Sequence, residues 1–383
     1  MRLLRLIPSL NPADGGTVEA IRQVSPLLAS RGVHTTVASL DAPTAPWLAG
    51  PGFEAHGLGP GRGVYGYAPG VVTALQRLAA SHDAVVIEGL WQYHTLATWW
   101  ALRRLGPSAP PYWVYPHGML DPWFRRTYPL KHLKKWLYWP WADYRVLRDA
   151  RAVLFTTEQE RLLARRSFWL YRAREQVAPF GITPPPAEGV SQRLAFNAAF
   201  PHLAGKPLLL SLARLHPKKG LDRLVAAFAT VADRHPTLQL MLAGPNGGSQ
   251  AALQQQAAAL GVASRVHIPG LLQGPIKWGA LRHCSLFCLP SHQENFGIAV
   301  VEALACARPV LISTGVNLAV EVEQAGAGFV QANTTAATAA ALQAWFQLAP
   351  AKQAAMGEAA LALFEQRFRL DRSVDGFLDI LAA

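Results

Sequence analysis

Cysteine and long apolar runs are scarce in this chain of 383 residues, and each shortage excludes a class of protein. The only cysteines are Cys284, Cys288 and Cys306, and two of them lie in the apolar stretch LRHCSLFCLP, so neither a disulfide framework nor a zinc site is indicated. No uninterrupted apolar run reaches the length of about 18 residues that a membrane-spanning helix needs, and MRLLRLIPSL is too short for a signal sequence. We therefore expect a reduced cytoplasmic protein without a membrane span.

Acidic residues are also in the minority. The 36 Lys and Arg residues exceed the 24 Asp and Glu residues, which gives a net charge of +12. Residues 1–190 have the larger excess, with 21 basic against 13 acidic residues. Hydrophobic residues make up 51% of the chain, which supports packed cores, and the length favours two domains.

Strand and helix signals alternate along the chain. In the first half RLLRLIP, HTTVASL, DAVVIEGLW and YWVYPHG have the composition of strands, and in the second half five strands alternate with helices. This alternation predicts parallel sheets covered by helices on both faces, with ligands at the carboxyl ends of the strands. The segment APFGITPPPAEG, residues 178–189, is rich in Pro and Gly and is the expected domain linker. The predicted fold class is therefore α/β, with two Rossmann-like domains facing each other across a cleft.

Two carboxylates flank a predicted helix start in SHQENFGIAVVEALACARPVLIS, residues 291–313. Glu294 lies in the loop after the strand LFCLPS, and Glu302 lies inside the helix. Free N–H groups and a partial positive charge in the first turn, around Gly297, suit a phosphate. Glu302 could accept two hydrogen bonds from ribose hydroxyl groups, and Glu294 could contact a polar group beyond the phosphates. The ordinary alternative is a helix cap and a solvated glutamate.

Two cations follow the first strand of the second half, in SLARLHPKKGLDRLVAAF. Arg214 and Lys219 lie on a strand-to-helix loop, where the guanidinium group could bind a diphosphate through two hydrogen bonds and the ammonium group as a point charge. A solvated basic turn is the alternative for PKKG alone. Together with the two glutamates, the loop favours a nucleotide sugar as ligand.

As a set, LARLHPKKGLDRLVAAF, LAGP and SHQENFGIAVVEALACARPVLIS resemble the donor-binding half of the retaining glycosyltransferases of the GT-B fold, family 4 or group 1. The resemblance covers most of residues 205–330 and implies sugar transfer from a nucleotide diphosphate donor without a metal or cofactor. It places Arg214 and Lys219 on the diphosphate and Glu302 on the ribose. The sugar and phosphates would be held by Glu294 and by the backbone of Asn295, Phe296, Gly297 and Ile298.

Two further sequence features bear on this resemblance. Many members of the family have Gly where this chain has Asn295, which fits only if φ stays negative or the residue adopts the left-handed conformation. The chain also has no D-x-D triplet, the usual metal-chelating signature of the other large glycosyltransferase fold.

The first half contains further candidate site residues, of which Glu88, Trp91 and His94 are the candidates for the acceptor side. NPADGGTVEA places Gly15 and Gly16 between a strand and a helix and resembles the glycine loop of the family, although GG alone indicates only a turn. VYPHGMLDPW places His117 at a strand end, where the family has a histidine that contacts the transferred sugar; a lone histidine is more often structural. IEGLWQYH contributes Glu88, Trp91 and His94 as weaker candidates.

The strip WFRRTYPLKHLKKWLYWPW, residues 123–141, contains five Lys or Arg residues and seven aromatic residues but no acidic residue. Aromatic rings at the headgroup level and cations near anionic lipid are typical of a membrane surface. Binding of nucleic acid and a core helix with solvated lysines are the alternatives. We favour the membrane because of this composition, and a transferase acting on a lipid-linked acceptor would need such a surface.

The resemblance implies a metal-independent retaining hexosyltransferase, and the absence of a D-x-D triplet agrees with this expectation. We expect an acceptor-side domain at residues 1–180 and a donor-binding domain at 190–365, and the resemblance implies that a final helix at about 366–383 packs back on the first domain. The expected acceptor is a glycan or lipid-linked saccharide in surface polysaccharide or exopolysaccharide synthesis, at the inner face of the membrane and without nucleic acid. A nucleotide-sugar epimerase and a degenerate binding protein are the alternatives. The expected catalytic residues are His117, Arg214, Lys219 and Glu294, and the expected substrate-binding residues are Gly15, Gly16, Asn295, Phe296, Gly297, Ile298 and Glu302.

Overall fold

The computed structural model describes residues 1–187 and 190–383, which divide into two compact units. The first unit consists of Met1–Gly181 and Leu370–Ala383, and the second consists of Ile182–Arg369. Each unit contains one parallel β-sheet, as the alternation of strands and helices predicts. Residues 188 and 189, at the end of the expected linker, lie outside the described residues.

The first unit is built on a sheet of seven strands in the order β3-β2-β1-β4-β5-β6-β7. The structure adds β3, β6 and β7 to the four strands recognised in the sequence. The strands are β1 Arg2–Ile7, β2 His34–Ser39, β3 Glu54–Gly57, β4 Ala84–Glu88, β5 Tyr112–Tyr115, β6 Ala152–Phe155 and β7 Glu175–Val177. The helices are α1 Gly16–Ser30, α2 Val71–Ala79, α3 Tyr93–Leu105, α4 Trp123–Thr127, α5 Pro129–Tyr138, α6 Asp143–Asp149 and α7 Glu158–Ala164, with the last helix of the chain, α16 Leu370–Ala382.

Successive side chains of a strand point to opposite faces of the first sheet, so apolar groups pack on both faces. Leu4 and Leu6 of β1 point into the core formed with α2 and α3, whereas Leu3 points to the opposite face of the sheet. That second core includes Val374 and Phe377 of α16. The final helix is therefore part of the first unit, although the second unit precedes it in the chain.

The second unit is built on a sheet of six strands in the order β10-β9-β8-β11-β12-β13. The sequence predicted five strands; the prediction missed β13, because its short segment GFVQ is only partly buried and lacks the apolar run of a central strand. The strands are β8 Leu208–Leu212, β9 Gln239–Ala243, β10 Val266–Gly270, β11 Leu286–Leu289, β12 Val310–Ser313 and β13 Gly328–Gln331. The helices are α8 Val190–Ala199, α9 Leu221–Ala232, α10 Gln250–Ala259, α11 Gly274–His283, α12 Ile298–Ala305, α13 Ala319–Ala325, α14 Thr335–Gln347 and α15 Pro350–Leu363, followed by the π-helical turn Phe364–Phe368.

The strand order reverses beside the first strand of each sheet. In the first unit β1 pairs with β2 on one side and β4 on the other, and in the second unit β8 pairs in the same way with β9 and β11. Loops at the carboxyl ends of two such strands diverge to opposite faces of the sheet and leave a crevice, which is the usual ligand site of open α/β sheets. The candidate site residues follow β1, β4 and β5 in the first unit and β8 and β11 in the second.

Helix lengths and compositions also bear on the membrane. Among the described residues, no helix combines the length and the apolar character that crossing a bilayer requires.

One carboxyl group in the core of the first unit has little compensation for its burial. Asp143 is fully buried; its Oδ2 accepts a hydrogen bond from the Trp91 amide at 3.0 Å, while Oδ1 has no partner. Burial raises the pKa of Asp143 to about 7, against the opposing effects of the Trp91 amide and the Lys135 cation. The folded unit therefore binds this proton more tightly than the unfolded chain does.

We expect Asp143→Asn to stabilise the first unit at pH 8 but not at pH 4. The stability contributed by protonated Asp143 is complete below about pH 4 and is lost as the pH rises through about 7. At roughly 1.4 kcal/mol per pKa unit, the neutral side chain should add up to about 4 kcal/mol to the free energy of unfolding at pH 8. Denaturant unfolding followed by tryptophan fluorescence measures this, because ten of the 12 tryptophans lie in the first unit.

Asp379→Asn is the control, because this carboxylate on α16 is exposed. Its effect should be small at both pH values. Equal destabilisation by Asp143→Asn at pH 4 and pH 8 would contradict the raised pKa of Asp143 in the folded protein.

Candidate active site

The loop between β8 and α9 carries the two predicted donor-side cations. The Leu215 amide donates to the Pro245 carbonyl at 2.9 Å, and the His216 ring accepts from the Lys218 amide at 3.1 Å, so both ends of the turn are fixed. Gly220 follows in the left-handed region with φ of 62°. A Cβ atom at Gly220 would lie 2.2 Å from the Pro290 carbonyl oxygen. This close approach brings the loop against the segment that follows β11.

The approach joins Lys219 to Glu294. Lys219 Nζ donates to Glu294 Oε2, and both side chains are about four-fifths buried. Two hydrogen bonds also hold the backbone of Glu294. The Glu294 amide donates to the Gly315 carbonyl at 2.8 Å, and the Glu294 carbonyl accepts from the Asn317 amide at 3.0 Å. Two residues predicted for one donor site, 75 positions apart in sequence, are therefore in contact.

The other predicted donor-side residues have different partners. Glu302 accepts a hydrogen bond from Lys277 Nζ at 2.7 Å, across α11 and α12. The aliphatic part of Arg214 lies against Gly247, where a Cβ atom would be 2.8 Å from Arg214 Cγ. In the described part of the chain no hydrogen bond or ion pair joins Arg214 to Lys219 or Glu302. The structure thus brings Lys219 and Glu294 together, and the roles assigned to all four donor-side residues stay predictions.

The segment before α12 differs in detail from the expectation. Gly297 is the N-cap, with φ of 73°, and the helix begins at Ile298, so Phe296 precedes the first turn. The Phe296 side chain is buried, and its ring meets Phe368 edge-on at 5.7 Å. Asn295 keeps a negative φ, and its Oδ1 accepts from Asn317 Nδ2 at 3.2 Å. The substitution of Asn for the family's Gly is therefore accommodated without the left-handed conformation.

In the first unit a buried carboxylate holds the glycine loop. Asp41 accepts hydrogen bonds from Ser9 Oγ at 2.9 Å and from the Leu10 amide at 2.8 Å. Asn11 caps the short turn that follows, and Gly15, with φ of 92°, is the N-cap of α1. A Cβ atom at Gly15 would meet nothing within 4 Å, so this glycine is required by its backbone angle and not by space.

His117 lies in the loop after β5 and is held from two sides. Its Nε2 is 2.6 Å from Glu88 Oε2, at the end of β4, and its ring stacks on Tyr115 with 5.5 Å between centroids. His117 itself has φ of 50°, an uncommon backbone angle outside glycine. The next amide, that of Gly118, donates to the buried Glu160 at 2.6 Å. The loop is therefore rigidly attached to its neighbours.

A pocket of about 420 Å³ opens beside these groups in the first unit. Its volume lies in the range of small-ligand sites. Several lining residues follow strands on both sides of the reversal in strand order, and others belong to a loop containing three glycines. Among the residues that line it are Thr17, Asp41, Gly66, Glu88, Gly89 and His117.

The basic aromatic strip is only partly a surface. Its exposed members, which we call the α4–α5 surface, combine apolar and basic side chains, with Leu130 at 77% and Trp141 at 70% exposure. Trp139 is instead buried, and Lys135 lies half-buried with Nζ 4.4 Å from the centre of the Trp91 ring. Burial lowers the pKa of Lys135 to about 8. The α4–α5 surface comprises Arg125, Arg126, Leu130, Lys131, Leu133, Lys134, Trp136, Leu137 and Trp141.

Several residues that build the site were not recognised in the sequence as site residues. Arg5, Asp41, Glu160 and Lys277 all hold residues or loops of the candidate site through hydrogen bonds. Of these four residues, only Arg5 could have been recognised from the sequence. A cation in the middle of the apolar strand RLLRLI needs a buried partner. The other three lie in ordinary loop or helix sequence, and their partners are distant in the chain.

No group of three or more His, Cys, Asp or Glu side chains is arranged to hold a metal ion within residues 1–187 and 190–383.

Comparisons with known proteins agree with the division into two units. Residues 15–181 match the family model described as a glycosyl transferase 4-like domain, and residues 194–362 match the model described as glycosyl transferases group 1. Together the two ranges cover most of the chain. The chain belongs to the group 1, or family 4, glycosyltransferases.

Individual relatives are more distant. A D-inositol 3-phosphate glycosyltransferase from Streptomyces griseus is 34% identical over 185 residues, which are 45% of this chain and 38% of that protein. The match thus spans less than half of this curated relative. Two solved structures share the fold at 19% identity. One is sucrose-phosphate synthase from Thermosynechococcus elongatus, with a TM-score of 0.78 and coverage of 100% of this chain and 98% of that one. The other is Anabaena HepE in complex with UDP and glucose, with a TM-score of 0.77 and full coverage of both chains. The fold is therefore that of the GT-B glycosyltransferases.

We expect Gly220→Ala to destabilise the second unit more than Gly326→Ala does. Both glycines have similar angles, with φ of 62° and 64°, but only Gly220 would place its Cβ atom against a backbone carbonyl. The left-handed angle alone costs about 1–2 kcal/mol for alanine. The clash should bring the total loss in Gly220→Ala to about 3 kcal/mol or more, measured by calorimetry and denaturant unfolding. Equal losses in the two variants would contradict the close approach of the two loops.

Proposed function

We propose that this protein transfers a hexose from a nucleoside diphosphate sugar to a hydroxyl group of a glycan or lipid-linked saccharide. The observation that carries the proposal is the contact of Lys219 with Glu294 directly before the amide end of α12. A cation, a carboxylate and free amides in one place suit a phosphate linked to a polyhydroxyl sugar. The complex of HepE with UDP and glucose supports a UDP-sugar as donor.

In the proposed mechanism the second unit stabilises the leaving diphosphate. Negative charge grows on the phosphate oxygens as the glycosidic bond breaks, so Lys219, Arg214 and the amides near Gly297 act most strongly in the transition state. Glu302 binds the ribose, and Glu294 meets the sugar. These groups replace a metal ion, the departing phosphate accepts the proton of the incoming hydroxyl, and the configuration at the sugar is retained, as the family resemblance implies.

The first unit supplies the acceptor side. The pocket beside Glu88 and His117 is large enough for a sugar ring, and the rigid loop at Gly15 and Gly16 lies at the start of α1. The name of the Streptomyces relative indicates D-inositol 3-phosphate as the acceptor of that protein. We favour a lipid-linked acceptor here because of the α4–α5 surface.

The α4–α5 surface would bind the anionic inner face of the membrane. Leucine and tryptophan side chains can enter the headgroup region while neighbouring lysines and arginines attract anionic lipid, at about 1 kcal/mol per cation. This arrangement would place the enzyme on the cytoplasmic side, beside acceptors used in surface polysaccharide or exopolysaccharide synthesis. Lys135 should contribute little, because its side chain is turned towards Trp91.

The donor site predicts different defects for two variants. Lys219→Met should lower turnover about 100-fold with a smaller change in donor affinity, because the cation acts mainly on the developing charge. Glu302→Ala should weaken donor binding about tenfold or more through the lost ribose hydrogen bonds. Both effects are measured by nucleotide release and by calorimetric titration, with the donor chosen from a thermal-shift screen of nucleotide sugars.

Lys206→Met, at an exposed lysine of the same unit, is the matched control and should behave as the wild type. Normal activity in both Lys219→Met and Glu302→Ala would exclude the proposed donor site. Running the assay with and without a lipid acceptor separates the alternatives: an epimerase converts the sugar without an acceptor, and a degenerate protein binds it without turnover.

The membrane proposal predicts salt-sensitive binding to vesicles. Lys131→Glu with Lys134→Glu should reduce sedimentation with anionic liposomes severalfold at low salt, because both cations are exposed beside Leu130 and Leu133. Lys206→Glu with Lys352→Glu makes the same charge change on exposed lysines of the second unit and should have no such effect. Unchanged sedimentation of the first variant would show that this surface does not bind membranes.

A further inference from the structure

Three charged or polar side chains lie on one face of the first sheet, where apolar groups would be expected. Arg5 of β1 donates to Glu88 Oε1 from Nε at 2.8 Å and from Nη2 at 2.5 Å. The residues are only 7% and 2% exposed. Phe377 of α16 covers the guanidinium group, with 5.6 Å from its ring centre to Arg5 Cζ. Glu88 in turn meets His117 through its second oxygen at 2.6 Å.

Stability alone is a weak reason for such a pair. Removing two charges from water is expensive, and apolar residues of similar volume often stabilise a core as well or better. The register of β1 with β4 is already set by strand pairing and by the surrounding apolar core. A function for the pair should therefore be sought in what it contacts, which is the ring of His117.

Glu88 determines which nitrogen of that ring carries a hydrogen. Burial alone would raise the pKa of Glu88, but the Arg5 cation and the His117 hydrogen bond outweigh it and hold the pKa at about 2. An ionised carboxylate only accepts hydrogen bonds. His117 Nε2 must therefore carry its hydrogen whether the ring is neutral or charged, and Nδ1 of the neutral ring has a free lone pair.

The remaining contacts fix the direction of the ring. Tyr115 stacks on one face with an interplanar angle of 12°, and the φ of 50° at His117 sets the exit of its side chain. His117 and Glu88 also line the pocket together with Gly89 and Thr17. A sugar in this pocket would thus meet a histidine of fixed tautomer.

We propose that Glu88 and Arg5 are positioning residues that fix the tautomer and direction of His117, so that Nδ1 accepts a hydrogen bond from a sugar hydroxyl group in the pocket of the first unit. Arg5 acts on Glu88, and Glu88 acts on His117. The inference rests on the proposed function, because it takes a sugar as the ligand of this pocket.

Glu88→Gln tests the proposal, since it keeps the shape of the side chain but inverts its hydrogen bonding. Arg5 can only donate, so the amide oxygen of the new glutamine must face Arg5 and its NH₂ group must face His117. Nε2 then becomes the acceptor, and the hydrogen moves to Nδ1. The expected result is a loss of turnover of about 100-fold, with donor affinity within about twofold of the wild type.

The tautomer can be observed directly. In the full-length protein labelled with ¹⁵N-histidine, two-bond ¹H–¹⁵N spectra should show His117 with hydrogen on Nε2 in the wild type and on Nδ1 in Glu88→Gln. The His117 signals are assigned by their loss in His117→Asn. Arg5→Lys should keep the wild-type tautomer and turnover within about tenfold, because Glu88 stays ionised. Glu175→Gln, which also removes a carboxylate paired with arginines, is the control and should change neither quantity.

A double variant separates positioning from stability. Glu88→Met alone leaves a buried guanidinium without a partner and should unfold more easily, whereas Arg5→Met with Glu88→Met removes both charges and should recover the stability. Positioning predicts that turnover stays low in the double variant, since His117 has no partner. Wild-type turnover in the stable double variant would overturn the proposal, as would an unchanged tautomer or turnover in Glu88→Gln.

Absence of transfer by the wild type with every donor would instead overturn the proposed function, and the spectra would still decide whether Glu88 sets the tautomer.

Discussion

Parallel pairing of one central strand with neighbours on both sides is the constraint on which each unit depends. Because β1 pairs with β2 and β4, and β8 with β9 and β11, the chain must leave each central strand and its neighbour in opposite directions. Loops with little in common in sequence are thereby brought to one edge of a sheet. Ser9 and Thr17, on either side of the glycine loop, line one pocket with Glu88 in the first unit, and Lys219 contacts Glu294 in the second.

Pairing of opposite charges is the second common theme. Three charged groups of the candidate sites are each held by a partner from another element: Lys219 by Glu294, Glu302 by Lys277, and Glu88 by Arg5. Such pairs preorganise the side chains, because a long flexible side chain loses less entropy on binding when its direction is already fixed.

The sequence was most informative where chemistry and chain order coincide. Strand-end positions of Lys219, Glu294 and His117 followed from apolar runs ending at turn residues. The first two are in contact, and their roles in a donor site stay predictions. Partners such as Lys277 and Asp41 could not be predicted, because the contact depends on how elements far apart in the chain pack. The short strand β13 was not predicted for a related reason, because only its parallel pairing with β12 makes it a strand.

The position of α16 has a consequence for how the protein is made. During synthesis the ribosome releases the whole of the second unit before Val374, Phe377 and Ile380, yet these residues complete a core that contains Leu3 of the first strand. The second unit can therefore mature on the nascent chain while the earlier one still exposes an apolar face. Protection of that face by a chaperone would matter most in the interval before α16 leaves the ribosome.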